Sequence, residues 1–258
     1  MATFEDVQPG DYLIRIAASR LGRAYKSRAL TELGIRAGDV VVDLGCGPGA
    51  DLAAFAEAAG EGGRVIGVDV DRAALAEASN RVASLPQVRV MQGDVHAVGL
   101  PDTGADRVHT DRVLQHVADP TGVLAEVRRV LRPGGSAVFA EPDWDTLVID
   151  YPDPAVPRAY TGYVVDKVVR NSRIGRQLVR LASDAELTVS NVVPITTAFR
   201  DVQSADKVLG LKRVSERAVQ AGYLTADSAG LFLEHLATRP FFASMTLFIV
   251  VAQVEPRP

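Results

Sequence analysis

Two apolar rhythms alternate along this chain. Short runs rich in Val and Ile stand at Val40–Leu44, Arg64–Asp69 and Val88–Gln92, and again around 106–110 and 136–140. Between them, over 50–59, 72–85 and 120–131, apolar residues recur every three or four positions. The first rhythm predicts buried strands and the second amphipathic helices, so their alternation predicts an α/β fold on a parallel sheet. Local punctuation agrees. Asp71 reads as the N-cap of the second helix, Asp119-Pro120 as cap and first residue of the third, and Arg132-Pro133-Gly134-Gly135 as its stop.

After residue 140 the rhythm changes. Helical patterns over 158–170 and 174–186 precede a strand over Thr188–Phe199, two more helices over 205–221 and 226–237, and a closing strand over 241–254. Pro194 inside a strand predicts an edge position or a bulge. Ahead of the first strand, residues 11–33 read as a helix with apolar positions at Tyr12, Leu13, Ile16, Leu21, Tyr25, Leu30 and Leu33. Its Arg15, Arg20, Arg23, Lys26 and Arg28 read as a solvated face. A sharper alternative makes it a flap over a ligand, with Tyr12 or Tyr25 close by.

The junction between the first strand and helix carries the chemistry. It runs Asp43-Leu44-Gly45-Cys46-Gly47-Pro48-Gly49. Glycines there allow positive φ and close approach of a ligand, and the first amides of the following helix seat a carboxylate or phosphate. A dinucleotide site needs G-x-G-x-x-G. Here the spacing is G-x-G-x-G with Ala50 next, and Asp43 would repel a pyrophosphate. An acid at that place suits a ligand bearing an ammonium. S-adenosylmethionine (SAM) has an ammonium and a carboxylate and no phosphate. Asp69 ends the next strand, where its two oxygens can accept both hydroxyls of a ribose. Cys46 reads as a small packing residue of the loop.

The run DLGCGPG resembles the first motif of class I SAM-dependent methyltransferases. The stretch from Leu114-Gln115-His116-Val117-Ala118-Asp119-Pro120 through Leu131-Arg132-Pro133-Gly134-Gly135 is similar to the ubiquinone/menaquinone-biosynthesis type and its bacterial natural-product relatives. The resemblance spans residues 36–142. It implies a Rossmann-like, seven-stranded, mostly parallel sheet with helices on both faces, its last two strands antiparallel. It also implies SAM as cofactor, held by Asp43, Gly45, Cys46, Gly47, Gly49, Asp69 and Val70. Gly93-Asp94-Val95 match its adenine motif, in which the acid accepts the adenine amino group and the next amide donates to the ring. Asp111 and Arg112 are expected to fix the loop and the methionine end of SAM.

The remaining residues bear on the acceptor. The insertions at 145–172 and 201–237 fall above the carboxyl ends of the parallel strands, where open α/β sheets bind ligands. They are expected to form a helical lid on a single domain spanning 1–258, with a flap at 1–35 and a cofactor core at 36–142. His116 and Glu141 are the candidate catalytic residues, His116 either as a base or as a structural residue of its loop. No metal is expected: His96 and His109 lack ligand spacing, and an Asp111–Glu141–Asp143 magnesium site lacks the acid–Asn pair of catechol-type enzymes.

With 258 residues, net charge −4, 47% hydrophobic residues and one cysteine, the chain offers no basic footprint for nucleic acid and no disulfide framework. No signal peptide or spanning segment is evident, so a cytoplasmic monomer or homodimer is expected, without nucleic-acid or membrane partners. The functional expectation is methyl transfer to an O, N or C nucleophile of a natural product or quinone-like metabolite. The alternatives are a structural use of SAM in a reaction such as cyclisation, and a non-catalytic ligand-binding protein.

Overall fold

The computed structural model describes residues 20–256. Tyr12, Leu13, Arg15 and Ile16 of the expected flap lie outside them. The chain begins with α1 (Arg20–Leu33), then β1 (Val40–Leu44), α2 (Leu52–Ala59), β2 (Arg64–Asp69), α3 (Arg72–Arg81), β3 (Val88–Gln92), β4 (Ala105–Asp111), α4 (Pro120–Val130) and β5 (Leu131–Ile149). A second series follows: α5 (Ala155–Tyr163), a π-turn (Val164–Val168), α6 (Ile174–Asp184), β6 (Thr188–Phe199), α7 (Val202–Leu209), α8 (Leu211–Gln220), α9 (Ala226–Thr238) and β7 (Ala243–Gln253).

The seven strands lie in the order β3-β2-β1-β4-β5-β7-β6. The first five are parallel, and β7 runs antiparallel between β5 and β6. Order reverses between β1 and β4, which opens a crevice at their carboxyl ends. Alternate residues of each strand face opposite layers. Val42, Leu44, Val108 and Phe139 bury against α4 and α6, through Leu124, Val127, Ile174 and Leu178. Val41, Val65 and Val138 bury against α1, α2 and α3, through Tyr25, Leu33, Phe55 and Ala78. Each such aliphatic side chain contributes about 1.5–3 kcal/mol of burial.

Three boundaries and one helix face differ most from the sequence expectation. β5 does not end at Ala140 but continues to Ile149, because the start of β7 pairs with it as far as Ile149↔Ala243, across an irregularity after Asp143. The helix expected over 158–170 starts earlier, at Ala155, and gives way to the π-turn after Tyr163. The helix expected over 205–221 is broken by Gly210, whose φ of 65° ends α7 and begins α8. The basic face of α1 is not wholly solvated, since Lys26 turns inward. Pro194 does lie on an edge strand, β6, with a bulge nearby between Val189 and Asn191.

The end of β5, α5, the π-turn, α7, α8 and α9 share an apolar core separate from the two layers of the sheet. It gathers Trp144, Leu147, Tyr160, Val164, Phe199, Leu209, Val214, Phe232 and Leu236. Because β5 enters it through its C-terminal extension, this cap stands beyond the carboxyl ends of the parallel strands.

Candidate active site

The glycine loop is shaped by what packs on it. Gly45 has φ 72° and its amide donates to the Val68 carbonyl at 2.8 Å. A Cβ at Gly45 would come within 2.4 Å of the Val113 side chain, so the loop and the segment after β4 can touch only with glycine there. Gly49, at φ 76°, lets α3 approach, since a Cβ would meet that of Ala78 at 2.9 Å. The Gly47 amide donates to Asp69 Oδ2 at 2.8 Å, and Asp69 Oδ1 accepts the Asp71 amide at 2.9 Å. Asp69 therefore ties the loop to the end of β2 while each oxygen keeps a second lone pair. Cys46 is buried beneath the loop, and burial pushes its thiol well up, away from nucleophilic use.

Asp43 is 3% exposed and pairs with His109 Nδ1 at 2.8 Å. The two stand opposite each other in the β1–β4 register. Burial raises the Asp43 carboxyl. Burial alone would lower the His109 imidazole, but the Asp43 hydrogen bond and charge hold it above its ordinary value. The charge of Asp43 is thus met inside the protein by His109, which also packs edge-on against Phe55.

Asp111 ends β4 and is buried under α1. It accepts the Tyr25 hydroxyl at 2.9 Å and the Lys26 ammonium at 2.6 Å, and lies 3.4 Å from Arg112 Nε. Lys26 also reaches Asp51, ahead of α2, at 2.5 Å. Burial works to raise Asp111, yet Lys26 and Arg112 hold it well below the usual carboxylate range. Burial likewise works to lower Lys26, and Asp111 keeps it charged.

Glu141 is fully buried and accepts the amides of Val113 at 2.8 Å, Leu114 at 2.6 Å and Gln115 at 3.3 Å. Burial pushes it up to about 7 against the pull of those amides. With both oxygens on loop backbone, it acts as the clasp of residues 112–116. His116 closes that turn, its amide donating to the Val113 carbonyl at 2.9 Å. The same turn reaches the cap. Gln115 Oε1 accepts Trp144 Nε1 at 2.8 Å, and Asn171 Nδ2 donates to the Leu114 and Val117 carbonyls at 2.7 and 2.8 Å.

Beyond β2 and β3 the surface opens. Val70 is 62% exposed. Asp94 Oδ1 accepts both the amide and Nδ1 of His96, at 2.9 and 2.6 Å, and these bonds hold its carboxyl below the ordinary value. Gly93 donates to the Asp69 carbonyl at 3.0 Å, which sets the Gly93–Val95 turn beside the end of β2. Asp143 is bound by Arg176. Among the described residues no cluster of His, Cys, Asp and Glu could hold a metal ion, and no helix is long and apolar enough to cross a membrane.

The structure therefore gathers Asp43, Gly45, Cys46, Gly47, Gly49 and Asp69 at one crevice, with Asp111 and Arg112 on one side and Asp94 on the other. The donor set fits SAM: a glycine cradle, a partly exposed acid at the end of β2 for a ribose, and an exposed apolar side chain, Val70, next to it, while the cations beside the loop, Lys26 and Arg112, are engaged by Asp51 and Asp111. Sequence reasoning missed Lys26 and His109. His109 was findable, because β1 and β4 are neighbours in this fold and its position matches Asp43. Lys26 reaches its partners only through the docking of α1, which no local pattern encodes.

Comparison with known proteins agrees with this geometry. A family model described as a methyltransferase domain matches residues 42–139. An uncharacterised 37.1 kDa protein of transposon TN4556 from Streptomyces fradiae is 54% identical over 255 residues, covering 98% of this chain and 74% of that one. Demethylmenaquinone methyltransferase of Staphylococcus aureus is 30% identical over 139 residues, covering 54% of this chain. The chain spans 58% of that enzyme's length. A SAM dependent methyltransferase from Aquifex aeolicus shares the fold, with a TM-score of 0.55 and 21% identity over 70% of this chain and 90% of that one. Residues 42–139 are thus a methyltransferase domain, set in a chain with the fold of the SAM-dependent methyltransferases.

Proposed function

We propose that this enzyme transfers the methyl group of SAM to a small, largely apolar acceptor lodged between the crevice and the cap. The observation that carries the reading is the position of the cap: a separate apolar core beyond the carboxyl ends of the strands, hydrogen-bonded to the 112–117 turn through Trp144 and Asn171. Asp69 would hold the ribose hydroxyls, Val70 and the Gly93–Val95 turn the adenine, and the loop amides with Asp111 and Arg112 the amino-acid end. When bound, SAM supplies an electrophilic methyl carbon on a sulfonium. The chain's own work is then to orient the acceptor and exclude water, effects worth on the order of 7–11 kcal/mol in well-oriented reactions.

Glu141 serves this by clasping the turn, and His116 by shaping it. His116 acts as a base only for an acceptor whose nucleophile carries a proton, adding about 10²–10⁴-fold. A phenol, a quinol or an oxygenated natural product fits such a site. The single cysteine, buried in the loop, agrees with a cytoplasmic setting. The test is incubation with methyl-labelled SAM and a panel of phenolic and quinol acceptors, read by product mass. Label in a product supports the reading. Conversion of an acceptor without label, or no turnover of any small acceptor while SAM binds, contradicts it.

A further inference from the structure

At the amino-acid end of the crevice the charges are already balanced by the protein. Asp51 and Asp111 come from different elements, α2's lead-in and the end of β4, yet one ammonium joins them: Lys26 lies 2.5 Å from the first and 2.6 Å from the second. Its side chain is 16% exposed, so little water screens it. Arg112 stands 3.4 Å from Asp111, the Tyr25 hydroxyl donates to the same carboxylate, and Asp43 is matched by His109. Two cations thus face two anions beside a neutralised pair, and no carboxylate of this group lacks a protein partner.

We propose that Lys26 sets the charge preference of the cofactor site, lowering the advantage of sulfonium SAM over its neutral product, S-adenosylhomocysteine. This rests on the SAM site of the preceding reading. The two ligands share the adenosine, the ammonium and the carboxylate. They differ by one positive charge on sulfur, so a change in local protein charge acts on their affinity ratio. A change in packing of α1 acts on both affinities alike. The physical basis is Coulombic: in a partly desolvated site, charges interact over distances at which bulk water would screen them.

The experiment is calorimetry of the whole chain with SAM and with S-adenosylhomocysteine, for wild type, K26M, K26R and D51N, with adenosine as a ligand lacking the charged end. K26M should shift the affinity ratio toward SAM by about tenfold, equivalent to about 1.4 kcal/mol. K26R should stay at the wild-type ratio. D51N should move the ratio the other way, toward S-adenosylhomocysteine, and adenosine binding should not change. D51N keeps the proposal open to refutation if K26M fails to fold. A ratio within twofold of wild type in K26M, or in D51N where K26M does not fold, overturns the proposal. Wild type that binds neither ligand overturns both this inference and the reading beneath it.

Discussion

Around the glycine loop the apolar packing is interleaved with paired polar groups: Asp43 with His109, Asp111 with Lys26 and Tyr25, Glu141 with three amides. In the cap the buried side chains are nearly all apolar, and the polar atom of its largest fully buried member, the Tyr160 hydroxyl, is spent on the Leu209 carbonyl at 2.8 Å. The difference separates two duties. Charge pairs demand fixed geometry, because a lost partner leaves an unpaired buried group that costs several kcal/mol. An apolar core tolerates substitution as long as its volume is kept. On the proposed reading, the loop half holds the cofactor in fixed geometry and the cap is the part free to vary with the acceptor. In keeping with this, the family match ends at residue 139, before the cap begins.

The comparison breaks most readily at Phe232, which is fully buried in the cap with its ring 5.2 Å from that of Tyr151. Phe232→Ala should cost about 3–5 kcal/mol. Thermal unfolding should show the loss, and calorimetry should show SAM affinity within a few-fold. Loss of SAM binding in a variant whose sheet stays folded would mean that the halves are not separate.

Glu141 tests the loop half. Its carboxyl is raised from 4.5 to about 7 in the folded chain. An acid raised in this way stabilises the fold fully below its unfolded value, and the contribution is lost as pH rises through the folded value. Unfolding free energy should therefore fall between about pH 4.5 and 7, by up to about 3 kcal/mol. Glu141→Gln should flatten that slope in denaturant titrations run across pH. A slope unchanged by the substitution would assign the effect to other groups.

A smaller effect is expected at Asp69. Asp69→Ala should weaken SAM binding by about 1.5–3 kcal/mol, the range for hydrogen bonds to a charged group, and leave the melting of the cap unchanged. An affinity equal to wild type would remove Asp69 from the cofactor site. The smallest effect belongs to His116. His116→Ala should leave SAM affinity within a few-fold and lower turnover by less than roughly a hundredfold, the floor of a base contribution. Steady-state kinetics across pH decides this. A loss beyond a thousandfold, with a titration near neutral pH abolished, would make His116 the general base.

The two halves also differ in how they can be read from sequence. Val40–Leu44, Arg64–Asp69, Val88–Gln92 and Thr188–Phe199 match their strands residue for residue, because short β-branched runs bounded by turns encode their own limits. The capping box of Thr225 and Ser228 likewise marks the start of α9 locally. The length of β5 was not legible, since residues 141–149 are held by β7 a hundred positions away. The partners of the crevice acids were hidden for the same reason. Asp43 reads as an acid offered to a ligand until β4 brings His109 against it, and Lys26 reads as a surface cation until α1 docks. Glu141 reads as a candidate catalytic residue until the turn after β4 folds its amides onto it. In each case the residue type was visible and the partner was written in no local pattern; only His109 could be reached, through the strand order of the expected fold.

The central claim is that the charged half is a SAM site, and calorimetry of the whole wild-type chain tests it most directly, with NAD and ATP as controls. The account predicts saturable binding of SAM and of S-adenosylhomocysteine at a single shared site, with no heat of binding from NAD or ATP. Tight binding of NAD in the absence of any SAM binding would contradict it.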